Sequence, residues 1–276
     1  MKKENKRLVA VVAVVAVVIL AGYAYLVSYT GSTVPFSTVV SSSMQHDNNQ
    51  SQIGVIDTGD IVMTADPDNV EIQSYVAAYE TGYTSFGDYG SVIIYDRGSG
   101  NPIIHRAIVW IGYDESSGTW YSDELAASSL SWYCIGEEGI EKNAYNLSGT
   151  LIIVMNGEAL SLDLDKLDNN TSGYVTKGDN TVSNPRFDQT AGIIGTLVSE
   201  DMIESVAIAE IPWLGILKLT ISGNSYVSHV PNSLPSLAML IVLIFSALLI
   251  IDAISVSRLC RYREKRIQSV LSWRRD

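Results

Sequence analysis

Two kinds of hydrophobic pattern divide the chain. Residues Leu8–Val27 are twenty consecutive uncharged positions, mostly Val, Ala, Ile and Leu, and a second uncharged run extends from about Ser233 to Ile251. As a helix the first run is about 30 Å long, enough to cross a bilayer core. Between the two, long helical periods are scarce. Short segments rich in Val, Ile and Tyr recur instead: Ile61–Thr64, Ser91–Tyr95, Ile104–Ile111, Leu151–Met155 and Gly173–Thr176. Gly, Asp, Asn and Ser punctuate them, a pattern that predicts strands separated by turns. Lys177-Gly178-Asp179-Asn180 follows the last of these as a turn. The polar stretches 66–88 and 112–149 read as insertions or long surface loops, with short helices near Val70–Tyr79 and Asp123–Ser129. The expected architecture is therefore a mainly β domain, residues 30–232, tethered by N- and C-terminal transmembrane helices. The N-terminal tail and helix occupy 1–29, the second helix 233–254, and a tail 255–276.

Charge gives this layout an orientation. Lys2, Lys3, Lys6 and Arg7 precede the first apolar run, and Arg258, Arg261, Arg263, Lys265, Arg266, Arg274 and Arg275 follow the second. The positive-inside rule places both ends in the cytoplasm and the domain outside. Residues 30–234 hold 26 acidic and 7 basic side chains, a net charge of −19, whereas the rest of the chain sums to +7. So acidic a domain argues against nucleic acid as a partner, since that needs phosphate-neutralising cations. A cleaved signal peptide is the alternative for the first run, although Gly22-Tyr23-Ala24-Tyr25 is bulkier than the usual small-residue exit.

Cys134 and Cys260 fall on opposite sides of the membrane in this topology and cannot pair with each other, while an intermolecular link through Cys134 stays open. Neither cysteine has companions at metal-ligand spacing, and no metal or organic cofactor is implied. Asn146-Leu147-Ser148, Asn169-Asn170-Thr171 and Asn170-Thr171-Ser172 are glycosylation sequons in the external part.

Candidate chemistry rests on few residues. Of three histidines, His105 lies inside the apolar run Ile103–Val109. Ser43 ends the segment Val39-Val40-Ser41-Ser42-Ser43, shortly after the first apolar run. A serine hydroxyl becomes nucleophilic when a neutral imidazole removes its proton and a carboxylate holds the correct tautomer. Asp179 and Asp188 are the candidate carboxylates. Taken singly, each residue also fits an ordinary packed or turn position. His46 reads as a surface residue, His229 as an interfacial one, and Asp60 as a turn acceptor after Gly59.

In combination the segments resemble the membrane-bound type I signal peptidases of archaea and the endoplasmic reticulum. That family carries a Ser-Gly-Ser-Met-like box after its first membrane helix, then Gly-Asp, a His-Arg strand, and a Thr-Lys-Gly-Asp-Asn box followed by an aspartate. This chain reads Ser41-Ser42-Ser43-Met44, Gly59-Asp60-Ile61-Val62, Ile103-Ile104-His105-Arg106-Ala107-Ile108 and Thr176-Lys177-Gly178-Asp179-Asn180, in that order. Ala209-Glu210-Ile211-Pro212-Trp213-Leu214-Gly215 follows near the second apolar run. The resemblance implies a signal-peptidase-like β catalytic domain and a serine endopeptidase acting at the extracytoplasmic membrane surface. It makes Ser43 the nucleophile and His105 the general base, with backbone N–H groups and the Ser41 hydroxyl as oxyanion donors. Asn184 stands nearest to the family's second aspartate, so the carboxylate is Asp188 if Asn184-Pro185 turns the chain back, or Asp179 directly. Ser42 replaces the family's glycine, and Gln45-His46 replaces an acidic-Pro pair.

The implied substrates are signal-peptide-bearing preproteins cut after small residues at −1 and −3. Membrane lipids and the protein translocation machinery are the implied surroundings. The segment 211–217 reads either as a patch dipping into the bilayer interface or as a buried strand. Two other functions fit the composition: a non-enzymatic anchored surface or adhesion protein, and a peptidase specialised for surface proteins, with 112–149 modifying access.

Overall fold

The computed structural model describes residues 3–98, 100–137, 139–223 and 232–272. His229 and the last two arginines lie outside them. Helix α1 (Lys3–Thr30) and helix α6 (Ser233–Ser272) contain the two apolar runs, and each is long and apolar enough to cross a membrane. Between them lies a globular domain of antiparallel sheets.

The strands of the main sheet, in chain order, are β1 (Phe36–Thr38), β2 (Ile61–Ala65), β5 (Val92–Tyr95), β6 (Ile103–Asp114), β7 (Thr119–Tyr121), β12 (Gly173–Lys177) and β13 (Ile203–Ile211). They run in the order β1-β2-β13-β5-β6-β12, with β7 on the far end of β6. A hairpin of β3 (Thr84–Ser85) and β4 (Asp88–Tyr89) precedes β5. A second sheet, β11-β10-β8-β9, is built from β8 (Trp132–Gly136), β9 (Gly139–Glu141), β10 (Thr150–Met155) and β11 (Glu158–Asp163). Each of the five strands expected from β-branched runs is present, with ends shifted by at most a few residues.

Residues 66–88 and 112–149 are more ordered than surface loops. The first contains helix α2 (Tyr75–Thr81), with Ser74 capping it by accepting from the Ala77 N–H. The second supplies α3 (Asp123–Ala127) and two of the four strands of the second sheet, β8 and β9. Its apolar residues are sparse, but they alternate: Trp132 and Cys134 are buried while Tyr133 and Ile135 face outward. With Trp120, Leu125, Leu147, Leu151 and Ile153 they form part of the largest core cluster. Cys134 is a free thiol inside that core, 2% exposed, so the intermolecular disulfide left open by sequence has no surface thiol to form it.

Strand β6 sets the directions of the candidate residues in two ways. Successive side chains on a strand face opposite ways, so His105 and Arg106 point to opposite faces of the sheet. A register shift opposite Val175/Thr176 makes a bulge at Ile108, three residues from His105.

Candidate active site

The segment carrying Ser43 is held by the turn after β12. The Asn180 backbone N–H donates to the Ser43 carbonyl at 2.9 Å, and Asn180 Nδ2 donates to the Ser42 carbonyl at 2.8 Å. The Asn180 side-chain oxygen in turn accepts from the Val182 and Ser183 N–H groups. One asparagine thus fixes both the serine loop and the turn that reverses the chain. A second support comes from Thr58, whose hydroxyl donates to Gln45 Oε1 at 2.5 Å.

His105 is 3% exposed. Its face of the sheet also carries Ile93, its direct partner on β5, and Tyr95, two pairs further along. Asp188 opens the short helix α4 (Asp188–Ala191) and lands on this face. His105 Nδ1 lies 2.7 Å from Asp188 Oδ2, and the Tyr95 hydroxyl donates to the same oxygen at 2.8 Å. Asp188 is completely buried. Burial opposes its ionisation, but the His105 imidazole beside it, the hydrogen bonds from His105 and Tyr95 and the nearby Thr176 hydroxyl outweigh that, holding the carboxyl below its ordinary range. A bond from Nδ1 to the carboxylate leaves Nε2 as the imidazole's acceptor.

Asp179 lies on the other face. It accepts from Arg106 Nε at 2.8 Å, and Arg106 Nη1 donates to the Gly90 and Ser85 carbonyls at 2.7 and 3.0 Å. The guanidinium therefore ties the β3–β4 hairpin to the Gly178-Asp179-Asn180 turn. Against the cost of burial, Arg106 first and then His46 bring the Asp179 carboxyl down to about 2. His46 Nε2 lies 3.4 Å from Asp179 Oδ2, so His46 reaches back to this turn although its ring is partly exposed. As the alternative direct partner of His105, Asp179 is displaced by strand geometry: it bonds the arginine next door.

Ser43 and His105 border one cleft of about 640 Å³, together with Ser41, Asn184 and the aliphatic side chains of Val39, Val62, Ile94 and Ile104. Ser43 Oγ is 3.3 Å from Ser41 Oγ, and no hydrogen bond joins Ser43 to His105 among the described residues. Gly178 separates them. A Cβ on Gly178 would lie 2.5 Å from the Ser43 carbonyl oxygen, 2.8 Å from Asn184 Cγ and 2.9 Å from His105 Nε2. Only glycine fits that contact. Sequence reading passed over Tyr95, Asn180 and Gly178 as supports; the alternation that puts Ile93 and Tyr95 on one face of the strand before His105 was the available signal for Tyr95.

A separate acidic knot lies behind the serine loop. Asp60 is completely buried and accepts from the Asp57 and Trp213 N–H groups, each at 2.7 Å. Burial raises its carboxyl to about 7 and also raises Asp57 and Glu210. These groups bind protons more tightly folded than unfolded, so their stabilising contribution is full below pH ~4 and is lost as pH rises through about 7 for Asp60. Asp179 acts oppositely: its contribution is present above pH ~4 and lost as pH falls through about 2. The melting temperature is expected to rise as pH is lowered from 8 to 5 and to fall again below 4. A melting temperature unchanged between pH 8 and 5 would contradict this.

Comparison with protein-family models, with characterised proteins and with solved structures yields no match.

Proposed function

We propose that the chain is a membrane-tethered serine endopeptidase that removes signal peptides from translocated preproteins, of the type I signal peptidase kind found in archaea and the endoplasmic reticulum. The observation that carries this reading is a buried carboxylate on His105 Nδ1 at the edge of a cleft that also holds Ser43. The motif order adds to it.

In this mechanism Ser43 Oγ attacks the scissile carbonyl carbon while His105 Nε2 takes the hydroxyl proton. The tetrahedral intermediate collapses as His105 passes that proton to the leaving amine, releasing the mature protein and leaving the signal peptide esterified to Ser43. Asp188 holds the imidazole's tautomer and stabilises the cation formed in passing. The Ser41 hydroxyl and backbone N–H groups serve the oxyanion, a contribution of about 3–4 kcal/mol per donor in comparable sites. The cleft runs along β1, whose outer edge is unpaired, and an extended substrate pairing there gains backbone affinity. Its floor of branched aliphatic side chains leaves shallow pockets, which suits small residues at the cleavage site.

The membrane setting supports the same reading. Strand β13 ends in a turn where Trp213 has φ 63°, and α5 (Gly215–Ile221) follows. The segment 211–217 is thus not a strand beyond Ile211, where β13 ends. It opens a short amphipathic helix with Ile216 and Leu219 buried and Leu214, Leu217 and Ile221 exposed. An exposed apolar helix face close in sequence to α6 belongs at the bilayer interface. With both basic ends cytoplasmic, the domain and its cleft face the exterior, where a translocated chain presents its signal peptide.

The test is cleavage of a signal-peptide-bearing preprotein by the full chain reconstituted in liposomes, with N-terminal sequencing of the product. One cut after a small residue is expected; an intact preprotein counts against the proposal. Gly178→Ala should lower this activity by roughly 100-fold, the scale of a displacement of about 1 Å at a reacting centre. Activity within twofold of the unchanged chain would show that the contact does not set the geometry.

A further inference from the structure

Asn184 brings an amide donor without a protein partner among the described residues to the edge of the cleft. It is 9% exposed, its backbone N–H donates to the Asn180 carbonyl at 2.7 Å, and its Oδ1 accepts from the Ser183 hydroxyl at 2.8 Å. Its Nδ2 has no protein partner among the described residues, although the side chain borders the cleft. Nδ2 is not sealed off from solvent, so water or a ligand in the cleft can meet it.

Position narrows what that partner is. Asn184 Cγ and His105 Nε2 lie 2.8 and 2.9 Å from the same point, where a Gly178 Cβ would stand, so the amide sits beside the basic nitrogen of the imidazole. Three groups occupy the place next to Nε2 during peptide cleavage: the Ser43 hydroxyl, the leaving nitrogen and the water that hydrolyses the acyl-enzyme. The hydroxyl is placed by its own backbone and the leaving nitrogen by the rest of the bound chain. The water has no covalent tether, and its oxygen accepts a hydrogen bond. A donor at this place therefore matters most to the second half of the reaction.

We infer that Asn184 Nδ2 holds the hydrolytic water against His105, a role that rests on the serine-peptidase reading above. The water oxygen accepts from Nδ2 and one of its protons points to Nε2. It attacks the ester carbonyl carbon as His105 takes that proton; the carbon–Oγ bond then breaks, and His105 returns the proton to Ser43. The signal peptide leaves with a free carboxyl group.

The experiment follows both half-reactions in the reconstituted full chain. Release of the mature protein in a single turnover reads acylation; intact mass after acid quench reads signal peptide bound to the enzyme. In Asn184→Ala, first-turnover release should stay within about threefold of the unchanged chain. Steady turnover should fall at least tenfold and the covalent species should accumulate, the loss expected for one positioned group. Added hydroxylamine, a nucleophile that needs no placed water, should restore turnover. Asn184→Asp keeps the side chain's shape and the Ser183 bond but removes the donor, so it should accumulate the same species even if the alanine variant folds poorly. Absence of the covalent species from Asn184→Asp, with both rates unchanged or equally slowed, overturns the inference. Ser43→Ala separates the two proposals: full cleavage there defeats the peptidase reading itself, whereas lost cleavage with normal Asn184 variants defeats only the water's assignment.

Discussion

Ser43→Ala and His105→Ala are each expected to lower preprotein cleavage by roughly 10⁴-fold or more, leaving only what binding and oxyanion donors supply. The serine is the atom that forms the ester, and alanine has nothing to attack with. The histidine variant keeps the hydroxyl but loses the group that accepts its proton. The double variant should be no slower than either single one, because the two residues act as a unit. Ser43 is partly exposed in its loop, so its replacement should leave the melting temperature nearly unchanged. Steady-state kinetics on a preprotein, beside a thermal melt of each variant, checks both halves. A variant with undiminished cleavage removes that residue from the mechanism.

The two aspartates are expected to fail in different ways. Asp188→Asn keeps the shape of the side chain but removes the charge that faces His105 Nδ1. The amide nitrogen can also force the wrong tautomer, so cleavage should fall by roughly 10³–10⁴-fold. Asp179→Asn instead weakens the charge opposite Arg106, which is 1% exposed and whose remaining bonds go to uncharged groups, backbone carbonyls and the Ser85 hydroxyl. An uncompensated buried charge costs about 3–5 kcal/mol. That loss should appear in denaturant unfolding, with cleavage reduced through a loosened turn and not through the imidazole. The second change Arg106→Met, combined with Asp179→Asn, should recover part of the stability, since no unpaired charge then remains. Equal kinetic losses from Asp188→Asn and Asp179→Asn, without a difference in stability, would contradict this division of roles.

That division shows where sequence reading reached its limit. The membrane-length helices and the strands around His105 were legible because their signals are local: an uncharged run, or branched residues between turn formers. Residues 112–149 were not, because polar composition masks the alternation that buries Trp132 and Cys134 in the second sheet. Ser43 and His105 stood out by motif. The choice of carboxylate did not, since it depends on which face each group reaches. His105 and Arg106 are neighbours with opposite directions, and that alternation assigns Asp188 to one and Asp179 to the other. The return of the chain at Asn184-Pro185 was anticipated as a turn, but its cause, the Asn180 side chain accepting from Val182 and Ser183, lies in three-dimensional contacts. His46 reads as a surface residue and its ring is partly exposed, yet the loop also carries it to Asp179.

The most direct measurement concerns the serine itself. A peptide ending in an alanine-derived diphenyl phosphonate, given to the full chain in detergent micelles, reacts covalently with an activated serine nucleophile, and digestion with mass mapping locates the adduct. One phosphonyl group on Ser43, absent when His105 is replaced by alanine, is the expected result. Label on another residue, or an unlabelled chain that still cleaves preprotein, would contradict it.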